Sequence, residues 1–534
     1  MAGKVVVCER GGNALVNKSA AVLAAGGVGM VLANTPTSAN TQLALIHSVP
    51  TVHTAAADYA AINTYAAASG GTATINPSAV VNNLPAPSTA SFSSRGPLAA
   101  TGDLLKPDLI APGQDILAAV APYTYGGESF SLLSGTSMSS PHVAGLAALM
   151  KELHPSWSPM AIKSALMTTG TNVLDGAETS AGVIVRQGAG HVNPNAAMNP
   201  GLVFDSSFSD WLGFLCGTQL PVSFCTDAGV RVIDPSDLNV ASIAVGDLAG
   251  TQTVTRRVTN VGNARATYTA SLAGMAGFTV AVDPPSFSIG RGETQVLTVA
   301  ITRTTATLNA YTGGQLRLTG DAGQVVRVPM LVAPVALAAP TQVSGSSYNV
   351  TFGYTGPFTA TPRGLVAAVT NAGTVLDDPT DGACSLTTPN ATLFPVTIAA
   401  GTTVARFATF DADSPGADID LCVINSAGVT VGSSGTATSA EEVTLRDPAA
   451  GNYTVVLQGY AVGSGSAYRL HTWLVGTADA GNMTVTAPAS ATTGATGTIT
   501  LGFSGLEAGR RYLGSVAYSG AAGMPAPTLV RVDP

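Results

Sequence analysis

Gly135-Thr136-Ser137-Met138-Ser139-Ser140-Pro141-His142-Val143-Ala144-Gly145 is the stretch on which the reading of this chain turns. A serine that opens a helix is surrounded by backbone N–H groups with no partner inside the helix, and the helix dipole favours negative charge there. A carbonyl attacked by such a serine develops an oxyanion that those N–H groups can stabilise. Pro141 suits the first helical turn, and the small residues around it let the helix pack closely. A serine N-cap on an ordinary core helix would share the Gly-Thr-Ser start. It would not require the eight residues that follow.

Outward from this stretch, the helix is expected to run from about Ser137 to Leu153. A second starts at Ser158-Pro159, with Ser as N-cap and Pro at the first helical position. On the N-terminal side, residues 88–98, STASFSSRGPL, are turn-rich, and KPDLIAPG and QDILAAV follow. Residues 1–87 alternate strand-like pieces with an Ala/Gly helix pattern: VVVC as a buried strand, NKSAAVLAAG (17–26) as a helix ending at Gly26, then VGMVLANT and SVPTVHTAA as strands. After residue 200 helical periodicity nearly vanishes. Residues 240–335 alternate as in TQTVTRRVTNV and TQVLTVAITR, with Gly, Pro and Asn between, which is β-sandwich spacing. Residues 336–475 repeat the style with ARFATF, IDLCVI and YTVVLQGY. Residues 476–534 add TGTITLGF and RYLGSVAY.

Composition bounds the function. The 534 residues carry 23 Lys+Arg against 31 Asp+Glu, a net charge of −8, which argues against a nucleic-acid binder with its basic stripe. Only 10% of residues are charged and 46% are hydrophobic, which excludes an intrinsically disordered chain and provides for several cores. No apolar run is long enough to span a membrane. Sixty Gly and 32 Pro fit short strands and many turns. Five cysteines without a C-x-x-C make neither a zinc site nor a disulfide scaffold. Cys216 can pair with Cys225 and Cys384 with Cys422, leaving Cys8 over; free buried thiols fit equally well. The start, MAGKVVVCERGG, has no secretory h-region.

GTSMSSPHVAG resembles the nucleophile motif of the subtilisin-like serine proteases. ASFSSRGP, KPDLIAPG and HPSWSPMAIKSALMTTG resemble segments of the same family in the same order. GAGHVNPNAAMNPGLVFD (188–205) with DWLGFLC is similar to the subfamily whose catalytic domain carries a protease-associated insert, and residues 3–35 resemble that insert. VTRRVTNVGNARATYTA is similar to the fibronectin-III-like domain that follows catalysis there. ADIDLCVINSAG with DPAAGNYTVVLQGY resembles the bacterial pre-peptidase C-terminal β-domain.

The resemblance implies a multidomain α/β plus all-β chain. Residues 1–87 would be a partial protease-associated insert and 88–205 the C-terminal half of a subtilisin-type α/β catalytic domain. A linker at 206–239, a fibronectin-III-like sandwich at 240–335, a pre-peptidase C-terminal-like domain at 336–475 and a small β-domain at 476–534 would follow. It implies Ser137 as nucleophile, protein or peptide substrates, no required cofactor, no nucleic-acid partner, and an extracellular or cell-envelope location.

A serine nucleophile needs a base. In the family the Asp lies in a D-[ST]-G turn and the His in H-G-T-H, and neither string occurs here. The histidines are His47, His53, His142, His154, His191 and His471, none with the flanking glycines of the base. The family's oxyanion Asn precedes the insert, and Asn13 and Asn34 are poor substitutes. The expectation is a chain that begins inside the insert and has no useful peptidase activity alone. A partly built α/β core of this kind should expose apolar strand edges and aggregate. The alternative is a non-catalytic binding or surface-anchoring protein derived from a subtilase.

Away from the serine motif, Asp411, Asp413, Asp418 and Asp420 are dense enough to bind Ca²⁺. The alternation of Asp418 and Asp420 on one strand face equally fits a solvated edge. Arg256-Arg257 reads as strand-surface charge, and Met138 as a packing residue.

Overall fold

A computed structural model describes residues 1–77, 86–123, 127–220 and 222–534. The end of the expected insert, 78–85, lies outside the described residues. The chain forms two compact units, 1–334 and 335–534.

The first unit opens with a three-stranded parallel sheet of β1 (Val5–Glu9), β2 (Gly29–Ala33) and β3 (Thr51–Thr54), in that order. The crossover α1 (Leu15–Ala24) closes on it through Val22, Met30, Leu32 and Val49, and α2 (Tyr59–Ala67) follows. Parallel neighbours demand such a crossover, which the Ala-rich segment supplies. Next comes an isolated hairpin, β4 (Ile116–Ala119) and β5 (Phe130–Leu133), and then α3 (Thr136–Leu153), α4 (Pro159–Thr168), α5 (Ala181–Gln187) and α6 (Pro194–Ala197). Ser158 caps α4 by accepting from the Ala161 N–H at 2.9 Å, with Pro159 at its first position, as the sequence requires. Seven of the ten α4 residues are buried, whereas α3 buries only Met150 of its eighteen. Leu149 and Leu153 on α3 are 61% and 53% exposed, and Leu117 and Phe130 on the hairpin 67% and 62%. Apolar side chains are therefore exposed on α3 and on the hairpin.

Residues 206–239 are more than a linker. Strand β6 (Leu202–Val203) leads into α7 (Phe208–Thr218) and α8 (Val222–Asp227), which are tied by the Cys216–Cys225 disulfide. Ser207 and Asp210 form a capping box that starts α7. Helical periodicity is weak here because α7 and α8 are short, with glycines at 213 and 217 that approach the backbone of Arg231 and Ile233.

The sandwich expected over 240–335 is present. One sheet is ordered β10 (Phe278–Asp283), β12 (Thr294–Arg303), β8 (Thr251–Asn260), β6. The other is ordered β11 (Ser286–Ile289), β9 (Ala266–Gly274), β13 (Thr312–Gly320), β14 (Val325–Pro334), β7 (Ile243–Leu248). Alternate residues such as Val254, Val258, Leu297, Val299, Leu316 and Val328 meet in one core.

The second unit does not divide at 475/476. Strands Ser347–Phe352 and Thr359–Ala367 pair with Thr496–Phe503 and Tyr512–Ser519, so residues from both expected domains build one sandwich. Its core joins Val350, Phe352 and Phe358 to Ile499, Leu501 and Val516. Residues 369–475 form a second sandwich of two four-stranded sheets, which the chain enters and leaves between those halves. Cys384–Cys422 bridges this inserted sandwich, and Cys8 is free. Strand spacing alone cannot show such interleaving, because every segment carries the same alternation.

Candidate active site

Ser137 is the second residue of α3 and is exposed. The turn before it is fixed from the KPDLIAPG segment. The Gly135 N–H donates to Gly113 O at 2.8 Å, and the Met138 N–H to Gly135 O at 3.0 Å. Gly113 packs so closely that a Cβ there would collide with Ser139 Oγ and Gly135 O. Ser134 Oγ accepts from the Asp115 N–H at 2.7 Å and donates to Asp115 Oδ1 at 3.1 Å. Asp115 holds a positive φ of 54°, a conformation in which Asp is among the better-tolerated residues.

Pro141 is the sixth residue of α3, not part of its first turn. It has no N–H to give to the carbonyl four residues back, which is that of Ser137. The candidate nucleophile therefore sits in the first turn of α3, where N–H groups have no carbonyl four residues back inside the helix, and its own carbonyl receives no N–H from residue 141.

Among the described residues no histidine is hydrogen-bonded to Ser137. His142 Nδ1 lies 2.7 Å from Met138 O on its own helix. His154 stacks on Trp157 with ring centroids 3.9 Å apart. His191 Nδ1 lies 3.0 Å from Val192 O. His47 and His53 contact Ser19 and Asn34 in the first sheet region. His471, in the other unit, pairs with Asp413 at 3.2 Å. Asn34, the one buried candidate for an oxyanion donor, gives its amide to Thr41 O and its oxygen to His53 and Arg10.

Asp108 of KPDLIAPG lies between Lys106 and Lys163, each at 2.9 Å. Burial pushes its carboxyl up, but Lys163 and Lys106 outweigh this and hold it below the usual carboxylate range. It ties the segment to α4.

The four aspartates of the acidic stretch do not converge. Asp411 accepts from the Ser439 N–H at 3.0 Å, and Asp413 is taken by His471 and Arg469. Asp418 and Asp420 lie at the start of a strand that is laddered there on one side only, opposite Ala461 and Gln458, because the neighbour on the other side begins opposite Leu421. Burial, then Asp418 and Glu441, raise the Asp420 carboxyl to about 6. Among the described residues no group of three or more His, Cys, Asp or Glu is arranged to hold a metal.

Arg256 is not surface charge. It is 2% exposed, and its guanidinium donates to the carbonyls of Val240, Ser236, Thr255 and Ser242 at 2.7–3.0 Å. Arg257 alone carries the surface role, paired with Asp210 at 2.7 Å. Sequence reading missed the contribution of Gly113, Asp115 and Ser134 to the serine turn. The one available signal was Gly113 closing the motif KPDLIAPG.

The segments that build this turn match known proteins. A subtilase family profile matches residues 13–190 and a fibronectin type-III domain profile residues 237–332. The former begins inside the stretch that resembles the protease-associated insert. "Subtilisin-like protease SBT2.5" of Arabidopsis thaliana is 43% identical over 277 residues, 46% of this chain and 34% of the relative. SBT1.7 of the same plant is 44% identical over 309 residues, 53% and 41% of the two chains. SBT1.6 is 38% identical over 375 residues, 62% and 48%. The chain spans about a third to a half of the length of these curated relatives. In the structure no helix of the described residues is long and apolar enough to cross a membrane. The motif around Ser137, the profile match and the relatives agree: residues 13–190 are similar to the subtilase family, and residues 237–332 to a fibronectin type-III domain.

Proposed function

We propose that this chain is the nucleophile-bearing part of a secreted subtilisin-like serine endopeptidase acting on proteins or peptides. Ser137 Oγ attacks the peptide carbonyl, the amine leaves, and water hydrolyses the acyl-enzyme. The N–H groups that open α3 face the developing oxyanion. The chemistry uses no cofactor. The base and its aspartate come from polypeptide other than the described residues. The observation that carries this reading is an exposed Ser137 in the first turn of α3, on a turn locked by Gly113 and Asp115.

A segment exchange tests it. Residues 13–190 replace the matching part of Arabidopsis SBT2.5. The chimera should cleave a peptide substrate. Ser137→Ala in it should lower kcat by about 10⁶, the loss that removal of the nucleophile causes in subtilisin itself. The chain alone should show no Ser137-dependent cleavage. An inactive but folded chimera would favour the second reading, a binding or anchoring protein, for which the absence of a histidine on Ser137 speaks.

A further inference from the structure

The loop 39–48 between β2 and β3 is held to two places at once, and one of its fastenings depends on a neutral imidazole. The Leu43 N–H donates to His53 Nδ1 at 3.0 Å. That nitrogen must therefore carry a lone pair, so Nε2 holds the proton and donates to Asn34 Oδ1 at 2.8 Å. The next residue, Ala44, gives its N–H to Asp115 Oδ1 at 2.9 Å. Gln114 Nε2 adds a bond to Gln42 O at 3.2 Å. Asp115 in turn holds Ser134, which adjoins the Gly135-Thr136-Ser137 turn.

His47, in the same loop, behaves oppositely. Ser19 Oγ donates to Val16 O and accepts from the Ser48 N–H, so His47 Nδ1 must donate to it. That contact survives protonation. The contact between Leu43 and His53 does not, because a proton on Nδ1 would face another donor.

The charged groups facing His53 are both basic. Arg10, just beyond β1, donates to Asn34 Oδ1 at 3.3 Å and to the carbonyls of Ala39 and Thr41, and His47 lies in the loop itself. Glu9 of β1 is turned to Tyr59 and Asn63 instead. Burial lowers the His53 pKa from its ordinary value, Arg10 and His47 act in the same direction, and together they outweigh the opposing contribution of the Leu43 contact. The imidazole is thus neutral at pH 7 and charges only below the usual histidine range.

We propose that loop 39–48 is an acid-released latch: neutral His53 pins Leu43, keeps Ala44 on Asp115, and so braces the turn that presents Ser137. A depressed pKa means that the latch is intact above the ordinary histidine value and is lost as pH falls through the lower native one. The Arg10 bonds to Ala39 and Thr41 do not titrate in this range, so release is confined to residues 43–48 and the turn they brace. The latch stands whether or not Ser137 reacts.

Hydrogen–deuterium exchange on the full chain at pH 7.5 and at a lower pH where the NMR shifts of the His53 ring show it protonated, with each rate divided by the intrinsic rate at that pH, tests it. Protection of the Leu43 and Ala44 amides should fall about fivefold or more once the ring is protonated, the factor one ordinary hydrogen bond represents. A smaller loss should appear in peptides covering 113–116 and 130–135. His53→Gln keeps an acceptor at every pH and should abolish the dependence, while His47→Gln should retain it. Unchanged protection in the parent chain with the His53 ring protonated overturns the latch, as does a response lost in His47→Gln. If His53→Gln does not fold, the parent and His47→Gln chains decide: both must lose Leu43 protection.

Discussion

Arg317 and Arg327 face each other directly across the β13/β14 ladder, and both turn to one carboxylate, that of Glu178. Like charges directly opposite in a sheet repel. Glu178, from the loop before α5, lies between them and also accepts from Asn172 Nδ2 at 2.6 Å. Burial pushes its carboxyl up, but Asn172 and the two arginines outweigh this and hold it below the usual range. Arg327 reaches further, to Gly170 O and Asn172 Oδ1. The subtilase segment and the fibronectin-like sandwich are joined here by one shared anion.

Glu178→Gln should therefore cost about 2–3 kcal/mol, less than the 3–5 of a fully buried pair because Arg317 keeps contact with water. Calorimetry of the full chain should show one unfolding transition move down while the transition of residues 335–534 stays in place. An unshifted profile would mean that the arginines find other partners.

Asp103 accepts from the Gly246 N–H at 2.8 Å, and burial, with Asp247 and Asp234 nearby, raises its carboxyl to about 7. The native state then binds a proton that the unfolded chain has lost above about pH 4. This contribution is full below that value and is lost as pH rises through about 7. Asp103→Asn keeps the acceptor without the charge. It should stabilise the chain at pH 8 by about 1–2 kcal/mol, with the gain fading toward pH 4. A gain independent of pH would refute the assignment.

Gly113→Ala should destabilise the serine turn, because the added methyl has no space beside Ser139 and Gly135. Overpacking of this kind costs about 1–3 kcal/mol. Faster amide exchange at Gly135 and Met138 should accompany the loss. A variant with native exchange there would show that the turn does not depend on this contact.

Arg256 is a buried cation whose donors all end on main-chain oxygens, and burial lowers its pKa to about 10. Arg256→Met leaves those carbonyls unpaired and should cost about 3 kcal/mol or more. Arg256→Lys should recover only part, since an ammonium cannot span the planar fork. Equal stability of Lys and Arg, read by denaturant unfolding, would mean that only charge matters here.

What lay within a few residues was determined by the sequence alone. Ser158-Pro159 sets the start of α4, because cap and ring act on their own turn. The Gly-Thr-Ser stretch places Ser137 at a helix start for the same reason. The alternation at 251–261 and 294–303 fixes strand type and face, since the period is local.

Tertiary structure alone decided what depends on distant partners. Arg256 and Arg257 look alike in sequence, yet their side chains point to opposite faces, and only one face is covered. Segments 337–367 and 483–532 share a sandwich because strand pairing is chosen by complementary apolar faces, not by order along the chain. Glu178 meets Arg317 and Arg327 across about 140 residues, a separation at which the chain itself sets no distance. The serine turn combines both kinds of control: its helix start was written locally, and its anchors, Gly113, Asp115 and Ala44, are supplied by long-range contact.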